Sequence, residues 1–222
     1  MLELRQISKA YRGGNGSPLT VLCDVDLQVE AGTFVSISGP SGSGKSTLLL
    51  IAGSLLRPDV GQVLLDGQNL TAMAGDQQAG ERAKSIGFVF QRFHLLPYLT
   101  VRENIVAATV AHARSEHGAE SRADELMQRL DIAHRAGHVP GRLSVGEMQR
   151  TALARALYNR PKVILADEPM GNLDPDNAEL ALQCFSEFAA AGGAVLMVTH
   201  SPEGAARTDV TWWLRDGKLA QS

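Results

Sequence analysis

The stretch Gly39-Pro-Ser-Gly-Ser-Gly-Lys-Ser-Thr47 decides the fold of this chain. It fits the phosphate-binding P-loop pattern, G-x-x-x-x-G-K-S/T. A β-branched run, residues 33–38, precedes it, and an apolar run, residues 48–52, follows it. A strand, a glycine-rich loop and a helix in this order are the setting that the pattern requires. An unrelated Gly/Ser turn with a stray lysine does not account for this setting. The sequence therefore predicts a phosphate-holding unit within an α/β fold.

The residue types of the P-loop suit a bound triphosphate. Glycines allow a tight turn and leave no Cβ against the phosphates, so that backbone N–H groups point inward. The helix that begins near Lys45 adds the positive end of its dipole. We expect the Lys45 ammonium to reach the β- and γ-phosphates and the Ser46 hydroxyl to bind Mg²⁺. The predicted nucleotide site comprises Gly39, Ser41, Gly42, Ser43, Gly44, Lys45, Ser46 and Thr47.

Length and composition limit the class of protein. The chain has 222 residues, 44% of them hydrophobic, which suits one compact domain with an inserted lobe. A net charge of −3 and scattered basic residues argue against a nucleic-acid partner. We see no secretory signal and no apolar run of about 18 residues, so we expect a cytoplasmic protein whose membrane part comes from another chain. Cys23 and Cys184 are predicted to be buried free thiols.

Antiparallel strands are predicted around the P-loop unit. Residues 2–7 alternate between apolar and polar, and residues 21–29 do so with Cys23 on the apolar face. Tyr11 follows the first strand and is either a plain strand-end aromatic residue or a face on which a base stacks. A final hairpin is predicted around Asp216-Gly217.

A strand and an apolar loop follow the P-loop helix. Residues 86–90 predict a buried strand that is closed by Gln91. Gln91 is either an ordinary loop residue or, beside a P-loop, a residue that reaches Mg²⁺ and the attacking water. The next segment, Phe93-His-Leu-Leu-Pro-Tyr-Leu99, is unusually apolar for a loop. It is therefore either a docking site or a segment folded onto its own core.

Helical patterns occupy the middle of the chain, from residue 101 to about 112 and from 121 to about 130. A third helix opens within residues 142–150 and runs to about Asn159. Ser144 and Glu147 have the spacing of a capping box. The same helix start, with Gly146, is an anion site. Because the P-loop holds its own phosphates, this second site is expected to serve the nucleotide of another subunit.

Polar residues follow two further buried strands. Residues 163–166 run into Asp167 and Glu168, the Walker B pattern. In this pattern Asp167 holds Mg²⁺ through water, and Glu168 polarises the attacking water as general base. The strand at residues 194–198 leads to His200, at the end of the sheet where α/β folds bind ligands. His200 is predicted to contact the γ-phosphate and orient the water.

The order of these motifs resembles that of the ATP-binding cassette (ABC) ATPases, over essentially the whole chain. Residues 165–174 and 93–97 look most like the subgroup that serves lipoprotein-release and macrolide-export complexes, to which a cell-division ABC ATPase is similar. The resemblance implies a RecA-like core with an antiparallel β-subdomain, formed by residues 1–100 and 160–222. It implies an α-helical lobe at about residues 101–159.

The resemblance also implies ligands, partners and residue roles. It assigns adenine stacking to Tyr11 and Mg²⁺ binding to Ser46, Gln91 and Asp167. It assigns catalysis to Glu168, His200 and Gln91. The signature residues Ser144, Gly146 and Glu147 would contact the γ-phosphate in trans, and Asp174 would belong to the D-loop. Two ATP molecules would lie in a head-to-tail homodimer that closes on ATP and opens after hydrolysis. An integral membrane permease subunit would be contacted near Phe93–Leu99, which would hold the protein at the inner face of the membrane.

Three residues depart from the family pattern. Val145 and Glu147 replace a glycine and the glutamine of the usual signature, Leu-Ser-Gly-Gly-Gln, and Met170 replaces a threonine. Val145 is tolerated if its side chain points away from the phosphate. Glu147 is tolerated if capping turns its carboxylate aside. These departures bear on the turnover rate more than on the fold.

The sequence thus favours an ATP-hydrolysing subunit that powers a membrane transporter of the export or lipoprotein-release type. One alternative is an ATP-driven mechanical or regulatory switch of a membrane partner, without substrate transport. A soluble ABC ATPase would carry insertions or a second cassette, for which 222 residues leave no room. A P-loop kinase would not explain residues 144–147 or His200.

Overall fold

The computed structural model describes residues 1–12, 17–109 and 119–221. The strands in these ranges are β1 (Leu2–Arg12), β2 (Pro18–Val29), β3 (Phe34–Ser38), β4 (Val60–Leu65), β5 (Gln68–Asn69), β6 (Ile86–Phe90), β7 (Val163–Asp167), β8 (Ala194–Val198), β9 (Val210–Arg215) and β10 (Lys218–Gln221). The α-helices are α1 (Lys45–Ala52), α2 (Gly75–Ser85), α3 (Val101–Val106), α4 (Ala119–Arg129), α5 (Val145–Tyr158), α6 (Pro175–Ala190) and α7 (Pro202–Ala205).

Two sheets organise the chain. The larger has the order β10-β9-β3-β8-β7-β6, and its strands from β9 to β6 are mutually parallel. Every residue of β3 and of β8 is buried, as expected for parallel strands that are covered on both faces. The smaller sheet, β2-β1-β4-β5, is antiparallel. The predicted antiparallel material before the P-loop is therefore present.

Two apolar cores lie on opposite faces of the parallel sheet. In β7, Val163 and Leu165 belong to a core shared with α1 and the antiparallel sheet. The alternate residues, Ile164 and Ala166, belong to a second core shared with α3, α4, α5 and α6. This alternation follows from the two-residue period of a strand. The predicted division into a core and a helical lobe at about residues 101–159 stays a prediction.

The helices follow the predicted pattern except at α2, at α3 and at the four-residue α7, which was not predicted. Helix α2 was not expected, because its eleven residues are mostly polar, include two glycines and show no apolar stripe. Helix α3 ends at Val106 and continues as a 3₁₀ turn, Ala107–Thr109. Residues 110–112 of the predicted helix lie outside the described residues. No helix in the described ranges is long and apolar enough to cross a membrane.

The prediction for Cys23 was wrong, whereas Cys184 is buried as predicted. The backbone of Asp24 is left-handed, with φ 51°, and the pairing of β1 with β2 shifts register in this region. Such an irregularity turns the preceding side chains to the other face of the sheet. Leu22 is consequently buried and Cys23 is exposed, although Val25 beyond the irregularity is buried as predicted.

Close packing at Gly87 of β6 gives a test of the fold. A Cβ at this residue would lie 2.4 Å from the carbonyl oxygen of Ala156 in α5. We expect Gly87→Ala to lower the free energy of unfolding by about 2–4 kcal/mol, measured by urea denaturation. The matched control is Gly80→Ala inside α2, where a Cβ meets no atom within 4 Å. It should raise stability by about 0.5–1 kcal/mol, and equal effects of the two changes would contradict the packing.

Candidate nucleotide-binding site

Parallel pairing aligns the strands that carry the predicted site. Asp167 of β7 pairs with Phe90 of β6 on one side and with Val198 of β8 on the other. β8 in turn pairs with β3, which leads into the P-loop. The carboxyl ends of these strands therefore lie side by side. The predicted residues at or directly after these ends are the P-loop, Gln91, Asp167, Glu168 and His200.

The P-loop has the backbone that a phosphate cradle requires. Gly39, Gly42 and Gly44 have φ values of 153°, 78° and 102°, in a region that favours glycine. At Gly39 a Cβ would lie 2.3 Å from the carbonyl oxygen of Leu214, so only glycine fits there. Helix α1 begins at Lys45 without an acidic residue in its first turn. The first turn of the helix therefore contributes no carboxylate of its own that would repel an anion.

Polar groups of the loop also fit an anion. The Ser43 Oγ atom is shielded from solvent and has no hydrogen-bond partner among the described residues. The buried Lys45 Nζ donates to the carbonyl oxygens of Gly39 and Pro40, at 2.8 and 3.0 Å. These neutral acceptors do not cancel the ammonium charge, which can therefore attract phosphate. Ser41 and Ser46 are exposed, and Thr47 is half-buried.

Ser46 and Asp167 form a pair of oxygen ligands beside the P-loop. The Ser46 hydroxyl donates to Asp167 Oδ1 at 3.0 Å. Burial raises the pKa of Asp167. Hydroxyl and carboxylate oxygens suit Mg²⁺, which typically binds one or two carboxylates together with substrate phosphates. No cluster of three metal-ligating side chains occurs among the described residues. The Ser46 and Asp167 oxygens fit a metal ion that arrives with a phosphate ligand.

Glu168 and His200 meet at the same edge of the sheet. Glu168 Oε2 lies 2.8 Å from His200 Nδ1 and accepts a hydrogen bond from the His200 N–H at 3.2 Å. The Glu168 side chain is 15% exposed, and that of His200 is 69% exposed. The Glu168 backbone is left-handed, with φ 45°, and its N–H donates to the carbonyl oxygen of Val198 at 2.9 Å. These contacts fix the direction of the carboxylate.

Gln91 directly follows β6, whereas Tyr11 lies in β1 of the antiparallel sheet. Gln91 is exposed, and its carbonyl oxygen accepts a hydrogen bond from Asn172 Nδ2 at 3.1 Å. A Cβ added at Gly171 would lie 2.9 Å from the Gln91 Nε2 atom. The Gln91 side chain therefore packs on the loop after Glu168. Tyr11 is 41% exposed, with the Lys9 ammonium 5.8 Å from the ring centroid. An exposed ring satisfies the minimum requirement for base stacking.

The signature residues form the predicted capping box at the start of α5. Ser144 Oγ accepts from the Glu147 N–H at 3.2 Å, and Glu147 Oε2 accepts from the Ser144 N–H at 2.7 Å. Arg135 Nε donates to Glu147 Oε1 at 2.6 Å. Two hydrogen bonds lower the pKa of Glu147 to about 2: the bond from the Ser144 N–H has the larger effect, and the bond from Arg135 has the smaller. The predicted capping role of Glu147 is confirmed. The Val145 side chain is 42% exposed.

Asp174 and the signature helix are linked through a residue that the sequence reasoning missed. Asp174 caps α6 and accepts hydrogen bonds from the backbone N–H and Nδ2 of Asn177, at 3.0 and 2.7 Å. Asn177 Oδ1 accepts from Arg150 Nη1 at 2.6 Å, and a Cβ at Gly146 would lie 2.3 Å from the same oxygen. The three-residue spacing from Asp174 to Asn177 is a capping signal that could have pointed to this contact.

The site residues thus fall into two groups. The P-loop, Gln91, Asp167, Glu168 and His200 come together at one edge of the parallel sheet. In the described part of the chain, the side-chain hydrogen bonds of Ser144 and Glu147 join these two residues to each other and to Arg135, and none leads to the P-loop. We call these two groups the P-loop half and the signature half.

Comparisons with known proteins extend over the whole chain. The family described as "ABC transporter" matches residues 22–171. The lipoprotein-releasing system ATP-binding protein LolD of Shewanella oneidensis is 43% identical over 220 residues, which cover 99% of this chain and 95% of that protein. The pyoverdine export ATP-binding/permease protein PvdT of Pseudomonas fluorescens is 40% identical over 99% of this chain and 33% of its own length.

Solved structures are similar as well. The dimeric structure of MJ0796, a bacterial ABC transporter cassette, covers 100% of this chain and 98% of its own, with a TM-score of 0.92 and 36% identity. A dimeric post-hydrolysis state of MJ0796 bound to ADP and Pi aligns with the same values. The predicted fold class is confirmed by this likeness.

The charge of Glu147 predicts an acid-dependent loss of stability. The folded pKa of about 2 lies below the ordinary value of 4.5, so ionised Glu147 adds stability above about pH 4.5 and loses this effect as the pH falls toward 2. We expect Glu147→Gln to lower the free energy of unfolding by about 1–2 kcal/mol at pH 7. In urea denaturation at decreasing pH, the difference from the wild type should shrink below about pH 4.5. A constant difference would contradict the role of the charge.

Proposed function

The chain belongs to the ABC transporter family, and we propose that it is the ATP-hydrolysing subunit that powers a membrane transporter of the lipoprotein-release or export type. Its similarity to LolD and PvdT supports this class of transporter. As an ABC ATPase it binds adenine nucleotides and hydrolyses ATP. The observation that carries the mechanism is the contact between Glu168 and His200 at the edge of the sheet that bears the P-loop.

In the proposed mechanism the P-loop binds the triphosphate of ATP. Lys45 exchanges its carbonyl acceptors for phosphate oxygens, and the Ser43 hydroxyl gains the hydrogen-bond partner that it lacks. Tyr11 stacks on the adenine. Ser46, Asp167 and Gln91 would hold Mg²⁺. The bound ion would neutralise charge on the β- and γ-phosphate oxygens.

Glu168 is proposed as the general base for water attack on the γ-phosphate. Both the imidazole and the backbone N–H of His200 contact Oε2 of this carboxylate. Oε1 is therefore the oxygen that accepts the proton of the water. The exposed imidazole of His200 is placed to contact the γ-phosphate and to keep Glu168 in position. Gln91, packed on the loop after Glu168, would reach both Mg²⁺ and the attacking water.

The signature half acts on the nucleotide of a second copy. Likeness to a dimeric ABC cassette supports a homodimer, and we infer that the two copies are head to tail. Ser144 Oγ accepts a hydrogen bond from the Glu147 N–H, so its own O–H can donate to the partner's γ-phosphate. Gly146 belongs to the same helix start and lies against the side-chain amide of Asn177 in α6, which donates to Asp174. ATP closes this dimer, and hydrolysis opens it.

The apolar loop at Phe93–Leu99 is proposed as the contact with an integral membrane subunit. Phe93 is buried, and its carbonyl oxygen accepts from Arg155 Nη2 at 2.5 Å. Leu96 and Tyr98 are 49% and 91% exposed. The base of the loop therefore folds onto the core, while its tip offers an apolar surface to a partner. Such a contact would hold the subunit at the inner face of the membrane. Residues 101–159 form the proposed lobe beside this loop.

The base assignment gives the first test of this function. Glu168→Gln keeps the shape of the side chain but removes its capacity to accept a proton at neutral pH. We expect ATP to bind with near wild-type affinity and hydrolysis to fall by at least about 100-fold. The ATP-bound variant should accumulate as a dimer, measured by size-exclusion chromatography with light scattering.

Two variants serve as controls for this experiment. Glu30→Gln makes the same chemical change at an exposed residue before β3, at the opposite end of the sheet, and should hydrolyse ATP normally. Lys45→Ala removes the ammonium of the P-loop and should fail at the earlier step of ATP binding. Normal turnover by Glu168→Gln would exclude Glu168 as general base.

The exposed loop tip gives a separate test of the membrane contact. Leu96→Ser with Tyr98→Ser should abolish capture of the membrane subunit by the ATP-loaded Glu168→Gln protein, measured in detergent extracts of its own organism. Because both side chains are exposed, the melting temperature should change little. Phe93→Ser is the contrasting variant and should lower the melting temperature, because Phe93 is buried. Undiminished capture by the double variant would place the contact elsewhere.

A further inference from the structure

We propose that Arg135 is a positioning residue for the trans nucleotide site: it pairs with the Glu147 carboxylate, so that the signature helix can approach the triphosphate held by a partner subunit. This inference rests on the proposed function, because it requires an ATP-bound dimer in which the signature of one copy faces the P-loop of the other. It concerns a residue outside the P-loop, the Walker B pair and the signature itself.

Glu147 poses an electrostatic problem in such a dimer. It lies in the first turn of α5, three residues after Ser144, at the helix end where an anion would bind. An unpaired carboxylate here would compete with the phosphate for the positive end of the helix dipole. Two like charges placed opposite each other across an interface repel and weaken the association. A negative residue is therefore acceptable at this position only if its charge is compensated.

The structure supplies this compensation through both carboxylate oxygens. Oε2 accepts from the Ser144 N–H at 2.7 Å, and Oε1 accepts from Arg135 Nε at 2.6 Å. Glu147 is 7% exposed, so little of its charge is screened by water. His134 Nε2 lies 3.4 Å from Oε1, but it is 54% exposed and carries charge only when protonated. The guanidinium of Arg135 is charged at every physiological pH and is thus the permanent counter-charge.

Arg135 lies in a backbone segment that is fixed by hydrogen bonds within the lobe. It ends a 3₁₀ turn, Ala133–Arg135, and its carbonyl oxygen accepts from the His138 N–H at 2.8 Å. The same segment binds the start of α3, where the N–H of Val101 donates to the carbonyl oxygen of His138 at 2.9 Å. The Arg135 side chain itself is 36% exposed. Replacing it therefore removes a charge without opening the apolar core.

A double-mutant cycle tests this proposal. All proteins carry Glu168→Gln, so that the ATP-bound dimer persists long enough to be measured. Arg135→Gln is introduced with Glu147 present and again with Glu147→Gln, and analytical ultracentrifugation with ATP and Mg²⁺ gives the dimer dissociation constant. We expect Arg135→Gln to raise this constant at least about tenfold beside Glu147. In the Glu147→Gln background, Arg135→Gln should raise the dissociation constant less than about twofold, since no carboxylate then needs compensation.

Further readouts separate positioning from a structural role. Arg135→Lys keeps the charge but loses the fixed planar geometry, so it should give a dissociation constant between those of Arg135 and Arg135→Gln. The melting temperature of each variant reports on folding, and ATP binding by the monomer reports on the P-loop half. An equal effect of Arg135→Gln in both backgrounds would show a structural role and overturn the proposal. Absence of an ATP-dependent dimer in the Glu168→Gln parent would instead overturn the proposed function, and this inference with it.

Discussion

The register of four parallel strands is the constraint on which the site depends. β3, β8, β7 and β6 pair so that their carboxyl ends lie at one edge, and every predicted residue of the P-loop half lies at or after one of these ends. A slip of one residue would turn buried side chains outward and move the Walker B pair away from the P-loop. The bond from Ser46 to Asp167 at 3.0 Å joins residues 121 positions apart, and it exists only in this register.

The amide of Asn177 ties the signature helix to the D-loop. Its Nδ2 donates to Asp174, while its Oδ1 accepts from Arg150 and lies against Gly146. A side chain larger than hydrogen at Gly146 would collide with this amide. The glycine of the signature therefore preserves the position and hydrogen bonds of this amide, apart from any contact with phosphate. Because one amide serves both segments, α5 cannot shift relative to Asp174 without breaking a hydrogen bond.

Local patterns in the sequence predicted local structure well, and the errors arose where distant residues decide the outcome. The capping box at Ser144 and the strands around the P-loop follow from spacing and periodicity. The exposure of Cys23 does not, because it depends on an irregularity in the pairing of two strands. The apolar loop likewise divides into a buried base at Phe93 and an exposed tip at Tyr98, a division set by the core beneath it. Arg135 carries no sequence signal, since it lies 12 residues from Glu147.

The adjacent carboxylates Asp167 and Glu168, at the end of β7, show how backbone strain lets two neighbouring residues serve one site. In an extended strand Asp167 and Glu168 would point to opposite faces and could not serve one site. The left-handed backbone of Glu168, with φ 45°, breaks this alternation directly after the strand. Asp167 then meets Ser46 while Glu168 meets His200, both at the edge that bears the P-loop. Such a conformation costs a non-glycine residue about 1–3 kcal/mol and persists only where the surroundings fix it. Here the carbonyl oxygen of Val198 and the N–H of His200 hold Glu168, so the strand pairing itself orients the proposed base.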